Sequence, residues 1–434
     1  MGTSRSPLRS VAGAAGLAIA TMLALGAPVA AHDPETPEGQ AALRAFMADH
    51  EAAARDKPIT GKPVPCKDGQ ANKYPCKNVD LMSVLPLNKI GGGNGNDIWG
   101  WTDSTTKKEY ALMGRTNGTA FVDVTDPANP VYLGNLPSHG GRSAIWRDVK
   151  VYKDHAYVVA DAIAGHGMQV FDLTRLRDVA KPQTFTEDAH YDKFGPAHNI
   201  AINEETGYAY AVGSDTCEGG PHIVDIREPK APAEAGCVSE DGYTHDTQCV
   251  VYNGPDADYA GRELCVNSNE DTVTIVDVTD KASPKQIARQ GYEGASYTHQ
   301  GWLTEDQRYF LLDDELDEAQ GTDKHTKTYV WDLADIDAPK HTGTYSSPAT
   351  AIDHNQYVKG GHSYQANYQA GLRILDLAKV ADGELTEVGY FDIYPKGDAA
   401  DFNGAWSVYP YFASGTVIIS GIEQGLVVVK PQLG

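Results

Sequence analysis

The phrase AFVDVTDPANP at residues 120–130 recurs along the chain with small changes. Each copy is a short apolar run that ends in Asp and is followed by a turn-forming stretch with Pro or Gly. The other copies are QVFDLTRLRDVAKP at 169–182, HIVDIREPKAP at 222–232, TIVDVTDKASP at 274–284, TYVWDLADIDAP at 328–339 and LRILDLAKVADG at 372–383. GLVVVKP at 425–431 is a degenerate last copy. The chain is therefore a series of related units.

The spacing of the units identifies the architecture. The six copies end in Asp123, Asp172, Asp225, Asp277, Asp332 and Asp376, and the degenerate last copy has Val428 at this position. The intervals between these successive positions are 49, 53, 52, 55, 44 and 52 residues. A period of about 50 residues with several short strands per unit is typical of a β-propeller. The last unit has only three strands, and residues 79–88 can supply the fourth. The sequence thus predicts an all-β, seven-bladed β-propeller of four-stranded antiparallel blades, closed by pairing of the N- and C-terminal strands.

The N-terminal segment differs from the repeats. Residues 1–31 combine Arg5 and Arg9 with an apolar run and small residues up to Ala31, which predicts a secretory signal peptide. Residues 32–76 are predicted to form a short helix, ended by Pro58, and a linker with one disulfide loop. Residues 77–434 form the propeller. No later stretch has the ~18 uninterrupted apolar residues of a membrane span, so we expect a secreted protein, extracellular or periplasmic, without a transmembrane segment.

Charge and cysteine content narrow the possible partners. The formal net charge is −23, and cleavage of the leader, which removes two Arg, makes it −25. Such a surface repels phosphate backbones and favours divalent cations, although the same excess also keeps an exported protein soluble. We therefore expect no nucleic-acid partner. Six Cys in an exported chain predict disulfides, and sequence proximity favours Cys66 with Cys76, Cys217 with Cys237, and Cys249 with Cys265.

The repeated VDVTDPxxP phrase resembles the LVIVD repeat. The whole chain, from the leader to Gly434, resembles the choice-of-anchor B family of exported propellers, whose members differ in how their C-termini are attached to the cell surface. This resemblance implies the propeller fold and export. It implies no activity and no catalytic residues, because the family has none established, so the site has to be argued from the geometry of the blades.

The innermost strand of each blade borders the central channel of a propeller, and the loop that enters this strand lies at one channel mouth. The motif YTH occurs at the start of two of these strands, at 243–245 and 297–299. Alignment of the units places the following residues at one register: Arg147, His198, His245, His299, His354 and Asn403, with Asn96 or Asp97 in the first unit. The next position holds Asp148, Asn199, Asp246, Gln300 and Asn355. We therefore expect imidazole, amide and carboxylate groups around this mouth.

Two interpretations of the histidines are open. In the first, His198, His245, His299 and His354 are metal ligands, because neutral imidazoles beside an amide or carboxylate oxygen suit Zn, Mn, Cu or Ni. In the second, each is a structural latch that bonds a neighbouring strand or the Asp of a third strand. The repeated Asp residues are expected to bond the backbone of turns. The acidic stretch with Asp313, Asp314, Glu315, Asp317 and Glu318 is either a Ca²⁺ site or a solvated loop, since it lacks the spacing of an EF-hand.

Two classes of function are compatible with these residues. One is a binding scaffold for an extracellular protein, glycan or cation at the loop face, with these ligand-binding residues: Arg147, Asp148, Asn199, Asp246, Gln300, Asn355 and Asn403. The alternative is a metal-dependent lyase or hydrolase acting on an acidic polysaccharide, in which Arg147 assists the metal and a histidine abstracts the proton. No GxSxG, HExxH or Ser/Lys signature is present, so motifs give no support for serine or zinc hydrolysis. Whether the protein is an enzyme is left open.

Overall fold

The computed structural model describes residues 56–433, and strands joined by turns make up nearly all of this part. The predicted signal peptide and N-terminal helix lie outside the described residues. The strands that precede the first full repeat are β1 (Gln70–Ala71), β2 (Tyr74–Lys77) and β3 (Val79–Leu85). Short 3₁₀ turns occur at Leu87–Lys89, His139–Gly141, Leu173–Leu176, Cys217–Gly219, Ala257–Tyr259 and Val380–Asp382. Within residues 56–433, no helix has the length and apolar character needed to cross a membrane.

Seven sheets follow one another along the chain, one for each repeat, which confirms the predicted seven-bladed propeller. Blade 1 contains β4 (Gly95–Thr102), β5 (Glu109–Arg115), β6 (Gly118–Asp123) and β7 (Val131–Pro137). Blade 2 contains β8 (Arg147–Tyr152), β9 (His155–Ala160) and β10 (Met168–Asp172), then β11 (Gln183–Thr184), which crosses to pair with β7, and finally β12 (Ala189–Tyr191). Blade 3 contains β13 (Asn199–Asn203), β14 (Tyr208–Val212), β15 (His222–Asp225) and β16 (Ala233–Cys237).

The remaining blades repeat this order of four antiparallel strands. Blade 4 contains β17 (Asp246–Val251), β18 (Glu263–Ser268), β19 (Val273–Asp277) and β20 (Lys285–Gln290). Blade 5 contains β21 (Thr298–Leu303), β22 (Tyr309–Asp314), β23 (Lys327–Asp332) and β24 (Lys340–Ser346). Blade 6 contains β25 (Asn355–Lys359), β26 (His362–Ala366), β27 (Leu372–Asp376) and β28 (Thr386–Phe391). Blade 7 contains β29 (Ala405–Tyr409), β30 (Val417–Gly421), β31 (Gly425–Pro431) and the N-terminal strand β3.

The ring closes through the predicted pairing of the two ends of the chain. Strand β3 pairs antiparallel with β31, with Val79 opposite Pro431 and Leu85 opposite Leu426. The closing strand is shorter than the predicted 79–88, because Pro86 has no N–H for the ladder and the chain then enters a 3₁₀ turn. Blade 7 is thus completed by residues from the opposite end of the sequence.

The segment before β3 packs on the propeller. Ile59 forms an isolated bridge with Val84, and Val64 forms another with Leu81, so both cover the free side of β3. Strand β2 pairs with β28 at Cys76 and thereby extends blade 6. A covered edge strand offers no unpaired backbone to a second chain. Residues 56–77, which the sequence indicates as a linker, therefore protect the point of closure.

Apolar side chains fill the spaces between neighbouring blades. The cluster between blades 2 and 3, for example, combines Val159, Val170, Ile200 and Val224, all fully or almost fully buried. Comparable clusters lie between each of the other pairs of neighbours, including blades 7 and 1 across the closure. Alternation along each strand presents one apolar face to each neighbour. This packing fixes the inner strands around the channel.

The repeated Asp residues have the structural role predicted for them. The carboxylate of each accepts a hydrogen bond from the backbone N–H two residues later, with N–O distances of 2.7–3.1 Å, at Asp123, Asp172, Asp225, Asp277, Asp332 and Asp376. This Asx turn ends the third strand of a blade and directs the chain towards the fourth. The sequence repeat is thus a repeated turn.

All three predicted disulfides are present, linking Cys66 to Cys76, Cys217 to Cys237, and Cys249 to Cys265. The third joins directly opposite residues of β17 and β18. Its Cα atoms are 4.0 Å apart, which is closer than the separation of about 4.4–6.8 Å expected for disulfides. Three disulfides agree with an oxidising, extracellular compartment.

Candidate functional site

Four histidines from consecutive blades lie side by side at one channel mouth. His198, His245, His299 and His354 each stand at or next to the start of an inner strand, in blades 3 to 6. Their ring centroids are 4.4 Å apart between His198 and His245, 4.2 Å between His245 and His299, and 4.4 Å between His299 and His354. The structure thus brings all four predicted histidines together, and we call them the histidine arc.

One ring nitrogen of each histidine is held by the fold. His245 Nδ1 lies 3.0 Å from the carbonyl oxygen of His299, and His354 Nδ1 lies 2.5 Å from that of Trp406. The other two face carboxylates, at 3.0 Å between His198 Nδ1 and Asp161 Oδ2 and 3.1 Å between His299 Nδ1 and Asp313 Oδ1. An acceptor at Nδ1 favours the tautomer with its proton there, which leaves the lone pair on Nε2.

Glu315 joins two histidines of the arc on their Nε2 side. Its Oε2 is 3.7 Å from His299 Nε2, and its Oε1 is 3.6 Å from His354 Nε2. A ligand atom of each of these three residues lies within 4.8 Å of the other two. The hydroxyl of Tyr368 donates to Glu315 Oε1 at 2.6 Å and fixes the carboxylate. Two imidazoles and one carboxylate therefore converge on a common volume.

The protonation states of this group suit a cation. Burial lowers the pKa of His245 and of His299 well below the usual range, and it lowers the pKa of His354 to about 3. These imidazoles are therefore neutral at neutral pH, the form that binds metals. Burial also raises the pKa of Glu315 to about 7, although the hydrogen bond from the Tyr368 hydroxyl opposes this shift.

Arg147 and Asn403 share the register of the arc but bond elsewhere. The guanidinium of Arg147 donates to Ser138 Oγ at 2.8 Å and to the carbonyl of Arg115 at 3.1 Å, and its Nη1 is 3.1 Å from His166 Nε2. Asn403 donates to Glu423 Oε1 at 2.6 Å. The strand register places the Cα atoms of both residues at the mouth, but their side chains form hydrogen bonds with other parts of the fold and do not point to the histidine arc.

The residues of the next register mainly join one blade to another. Asn199 donates to the carbonyl of His245 at 3.0 Å. The Gln300 amide donates to the carbonyl of Gln356 at 3.1 Å and accepts from its N–H at 3.0 Å. Asn355 is the buried first residue of β25. These polar side chains hold inner strands together, and binding of an external ligand by them stays a prediction.

Asp148 belongs to a charged group inside the channel. Lys150 Nζ lies 2.5 Å from Asp148 Oδ1 and 3.3 Å from Asp97 Oδ2, and it stands over the ring of Trp99. Burial alone would lower the pKa of Lys150, but the Asp148 and Asp97 carboxylates raise it well above its usual value. Burial raises the pKa of Asp97, whereas the closer ammonium keeps that of Asp148 low despite burial. One buried ion pair, with a second carboxyl group beside it, therefore occupies this layer.

A cavity of about 580 Å³ opens where the inner strands end, at the other side of the channel. Its wall includes five aromatic side chains, those of Trp99, Trp302, Tyr357, Tyr409 and Tyr411. Asp246 and Gln300 line its deeper part, and Glu204, Glu205 and Glu305 also border it. Trp99 and Trp302 contact the ring of Tyr357, at 5.5 and 4.9 Å between ring centroids, and both also line this cavity.

Glu315 and Asp313 belong to the candidate site, but the alignment of the inner strands did not identify them as site residues. Counting outward from the turn at 304–308 in a regular antiparallel hairpin places Asp314 opposite His299, with Asp313 and Glu315 on either side of it. A bulge between Thr298 and Gly301 shifts the observed register, so Asp314 pairs with Thr298 instead. The sequence therefore contained a signal for these partners. Asp161 and Tyr368 come from other blades, and no local count could have found them.

The acidic stretch after β22 is not the solvated loop that was one expectation. Asp313 and Asp314 belong to β22 and are buried, and Asp317 and Glu318 are buried as well. Asp314 accepts hydrogen bonds from the Tyr292 hydroxyl and from the backbone N–H groups of Ser296 and Tyr297. The tertiary fold encloses this loop, although its composition is that of a surface segment.

Comparisons with known proteins support the fold. No family model and no curated protein matches the chain, so the resemblance to the choice-of-anchor B family and its LVIVD repeat stays a prediction. Among solved structures, the Cps50 (Swd1) β-propeller domain of Myceliophteria thermophila matches with a TM-score of 0.50 and 13% identity, over 79% of this chain and 99% of that one. A protein from Lactobacillus plantarum matches with a TM-score of 0.50 and 16% identity, over 75% and 88% of the two chains. At such identities the likeness concerns the fold alone.

Proposed function

We propose that this protein is an exported binding scaffold that holds a first-row transition-metal ion at the histidine arc. His299, His354 and Glu315 would be the primary ligands, and His245, in ring contact with His299, is the nearest further donor. The observation that carries the proposal is the shared carboxylate: Glu315 places one oxygen 3.7 Å from His299 Nε2 and the other 3.6 Å from His354 Nε2.

The latch and ligand interpretations of the histidines are compatible. The latch uses Nδ1, which bonds a backbone carbonyl or a carboxylate in each of the four residues. A metal would use Nε2. Histidine ligands usually donate their other N–H to a carbonyl or carboxylate, which orients the ring and raises its basicity. The latch bonds are therefore the support that a metal-binding histidine needs.

The donor set favours particular cations. Imidazole nitrogens with one carboxylate oxygen suit Zn²⁺, Mn²⁺ or Cu²⁺ among the expected metals, whereas Ca²⁺ prefers oxygen ligands only. Ca²⁺ therefore does not fit the histidine arc. A protein or glycan partner at the loop face, and secretion itself, stay predictions that accompany this proposal.

The lyase or hydrolase alternative finds no support in this geometry. It assigns Arg147 to the carboxylate of an acidic polysaccharide, but that guanidinium is buried and already bonded to Ser138, Arg115 and His166. A binding role requires neither Arg147 nor an anionic substrate.

Elemental analysis of the purified mature protein, expressed with added Zn²⁺, Mn²⁺ and Cu²⁺, tests the proposal. We expect a single transition-metal ion per chain in the wild type. Glu315→Gln should weaken retention about tenfold or more while leaving the metal-free melting temperature nearly unchanged, because it removes a charged ligand and preserves the Nδ1 latches. His299→Ala should lose the metal and also lower the melting temperature.

His362→Ala is the matched control. His362 lies at the turn between β25 and β26, at the end of β25 opposite to His354, and its Nδ1 bonds the carbonyl of Gly360, so its removal should leave the metal content unchanged. A wild-type protein without metal after supplemented expression, or the same metal content in Glu315→Gln and His299→Ala as in the wild type, would refute the proposal. Only the latch role would then stand.

A further inference from the structure

Three carboxylates meet in a buried cluster separate from the histidine arc. Asp317 and Glu318 lie in the loop between β22 and β23, and Asp353 precedes β25. One oxygen of each lies within 4.8 Å of the other two. Their exposed fractions are 1%, 6% and 2%, so all three side chains are excluded from bulk solvent. We call them the carboxylate cluster.

The cluster contains oxygens with no hydrogen-bond partner. Among the described residues, no donor reaches either oxygen of Glu318 or Oδ1 of Asp353. Buried polar atoms are nearly always hydrogen-bonded, and an unpaired buried carboxylate is among the most costly groups to leave unsatisfied. A buried carboxylate cluster with three such atoms therefore requires a positive partner or a proton.

Neighbouring groups do not supply the missing charge. The ammonium of Lys327 lies near enough to influence Asp317, but it pairs with Asp323 at the edge of the loop. Among the residues that the structure describes, Asp317 accepts the backbone N–H of Glu318 at 2.8 Å and, weakly, the Tyr329 hydroxyl at 3.4 Å. Asp353 Oδ2 accepts a backbone N–H at 3.4 Å. The remaining oxygens face one another.

We infer that the carboxylate cluster of Asp317, Glu318 and Asp353 is a binding site for a Ca²⁺ ion. Three carboxylates offer up to six oxygens, which approaches the six to eight that Ca²⁺ takes, and the donor set contains no nitrogen or sulfur. Mg²⁺ usually keeps several of its waters in octahedral order, which a dry cluster does not accommodate. The site uses none of the side chains of the histidine arc and does not depend on the proposed function.

A shared proton is the competing explanation. Burial next to Asp317 raises the pKa of Glu318 to about 10, so without a cation this carboxyl group would carry a proton at neutral pH. Ca²⁺ binding would displace that proton. The two explanations differ in whether calcium stabilises the protein.

The test is calcium titration of the full mature protein after chelator treatment, followed by calorimetry and thermal melting. We expect a single Ca²⁺ per chain and a rise of several degrees in the melting temperature at about 1 mM Ca²⁺, with a much smaller effect of Mg²⁺. Glu318→Gln and Asp353→Asn should each weaken Ca²⁺ binding about tenfold or more. Because these amides remove negative charge from the cluster, both variants should fold without calcium.

Asp335→Asn is the matched control. Asp335 is exposed and lies in a separate acidic group with the exposed Asp337 and the half-buried Asp256, so this variant should keep the full calcium response. His299→Ala should also keep it, which separates this site from the transition-metal site. The absence of binding and of a melting shift in the wild type, or an unchanged response in both cluster variants, would overturn the inference and establish the shared proton instead.

Discussion

The ammonium group of Lys150 lies among carboxyl groups inside the channel, and its side chain is only 12% exposed. Its positive charge lies next to the carboxyl groups of Asp148 and Asp97, since Lys150 Nζ lies 2.5 Å from Asp148 Oδ1 and 3.3 Å from Asp97 Oδ2. Removing one partner of a buried ion pair costs about 3–5 kcal/mol, because the other charge stays buried without compensation. We therefore expect Lys150→Met to lower the free energy of unfolding by roughly that amount in urea denaturation.

Lys285→Met provides the comparison for this prediction. Lys285 is exposed at the start of β20, so its loss should change the free energy of unfolding by less than about 0.5 kcal/mol. Equal stability of the two variants would show that water or protons, and not Lys150, neutralise the channel carboxylates.

Asp246 gives the channel a measurable pH dependence. Burial raises its pKa to about 7, with a further contribution from the Asp148 carboxylate that Lys150 partly offsets. The pKa in the unfolded chain is about 3.9, so the folded state holds this proton more tightly. The resulting stabilisation is fully present below about pH 4 and is lost as the pH rises through about 7.

Asp246→Asn should therefore match the metal-free wild type in melting temperature near pH 4 and exceed it near pH 8. Asn keeps the acceptor for the N–H of Thr247 and cannot ionise. The advantage at pH 8 should amount to a few kcal/mol, less than the full shift implies, because Asp246 borders the water-accessible cavity. A difference between the two proteins that is constant from pH 4 to 8 would show that Asp246 does not change its charge there.

At the scale of strands, local chemistry decided what the sequence could predict. The six repeats end their third strands at Asp, in β6, β10, β15, β19, β23 and β27, because an Asx turn at Asp interrupts the ladder. Strand β11 was not predicted, since its two residues pair with β7 through the backbone and leave no side-chain pattern. Strands β1 and β2 were not predicted either, because their Gly-, Pro- and Lys-rich sequence is typical of a linker.

In the candidate site, the sequence predicted the positions of the histidines but not the direction of Arg147 or the carboxylate partners. In four consecutive repeats, a histidine at the start of the inner strand placed the arc, because each inner strand starts at the same mouth. Register fixes a Cα position but not the direction of a long side chain, and Arg147 accordingly reaches His166. Carboxylates such as Asp161 arrive from neighbouring blades, where only the assembled ring brings them within 3.0 Å of His198.

At the scale of the whole molecule, the seven-residue closing strand β3 contributes to the packing between two pairs of blades. Leu81 is fully buried in the cluster between blades 6 and 7, and Leu85 is buried in the cluster between blades 7 and 1. Strands β29 and β30 also pack against β4 of blade 1, but the fourth strand of blade 7 is present only while β3 pairs with β31. Opening this pairing would expose both clusters and leave two sheet edges unpaired.

We accordingly expect Leu81→Asp to destabilise the propeller by about 4 kcal/mol or more, because it places a charge in a dry interface and favours the open ring. Hydrogen exchange should show the first loss of backbone protection in β29, β30 and β31, before blades 3 and 4 are affected. Val131→Asp makes the same chemical change on β7, where the side chain is 55% exposed, and should leave both the melting temperature and the exchange pattern nearly unchanged. If Leu81→Asp instead lost protection uniformly around the ring, or no more than the Val131→Asp control, closure by β3 would not be the step that holds the seven blades together.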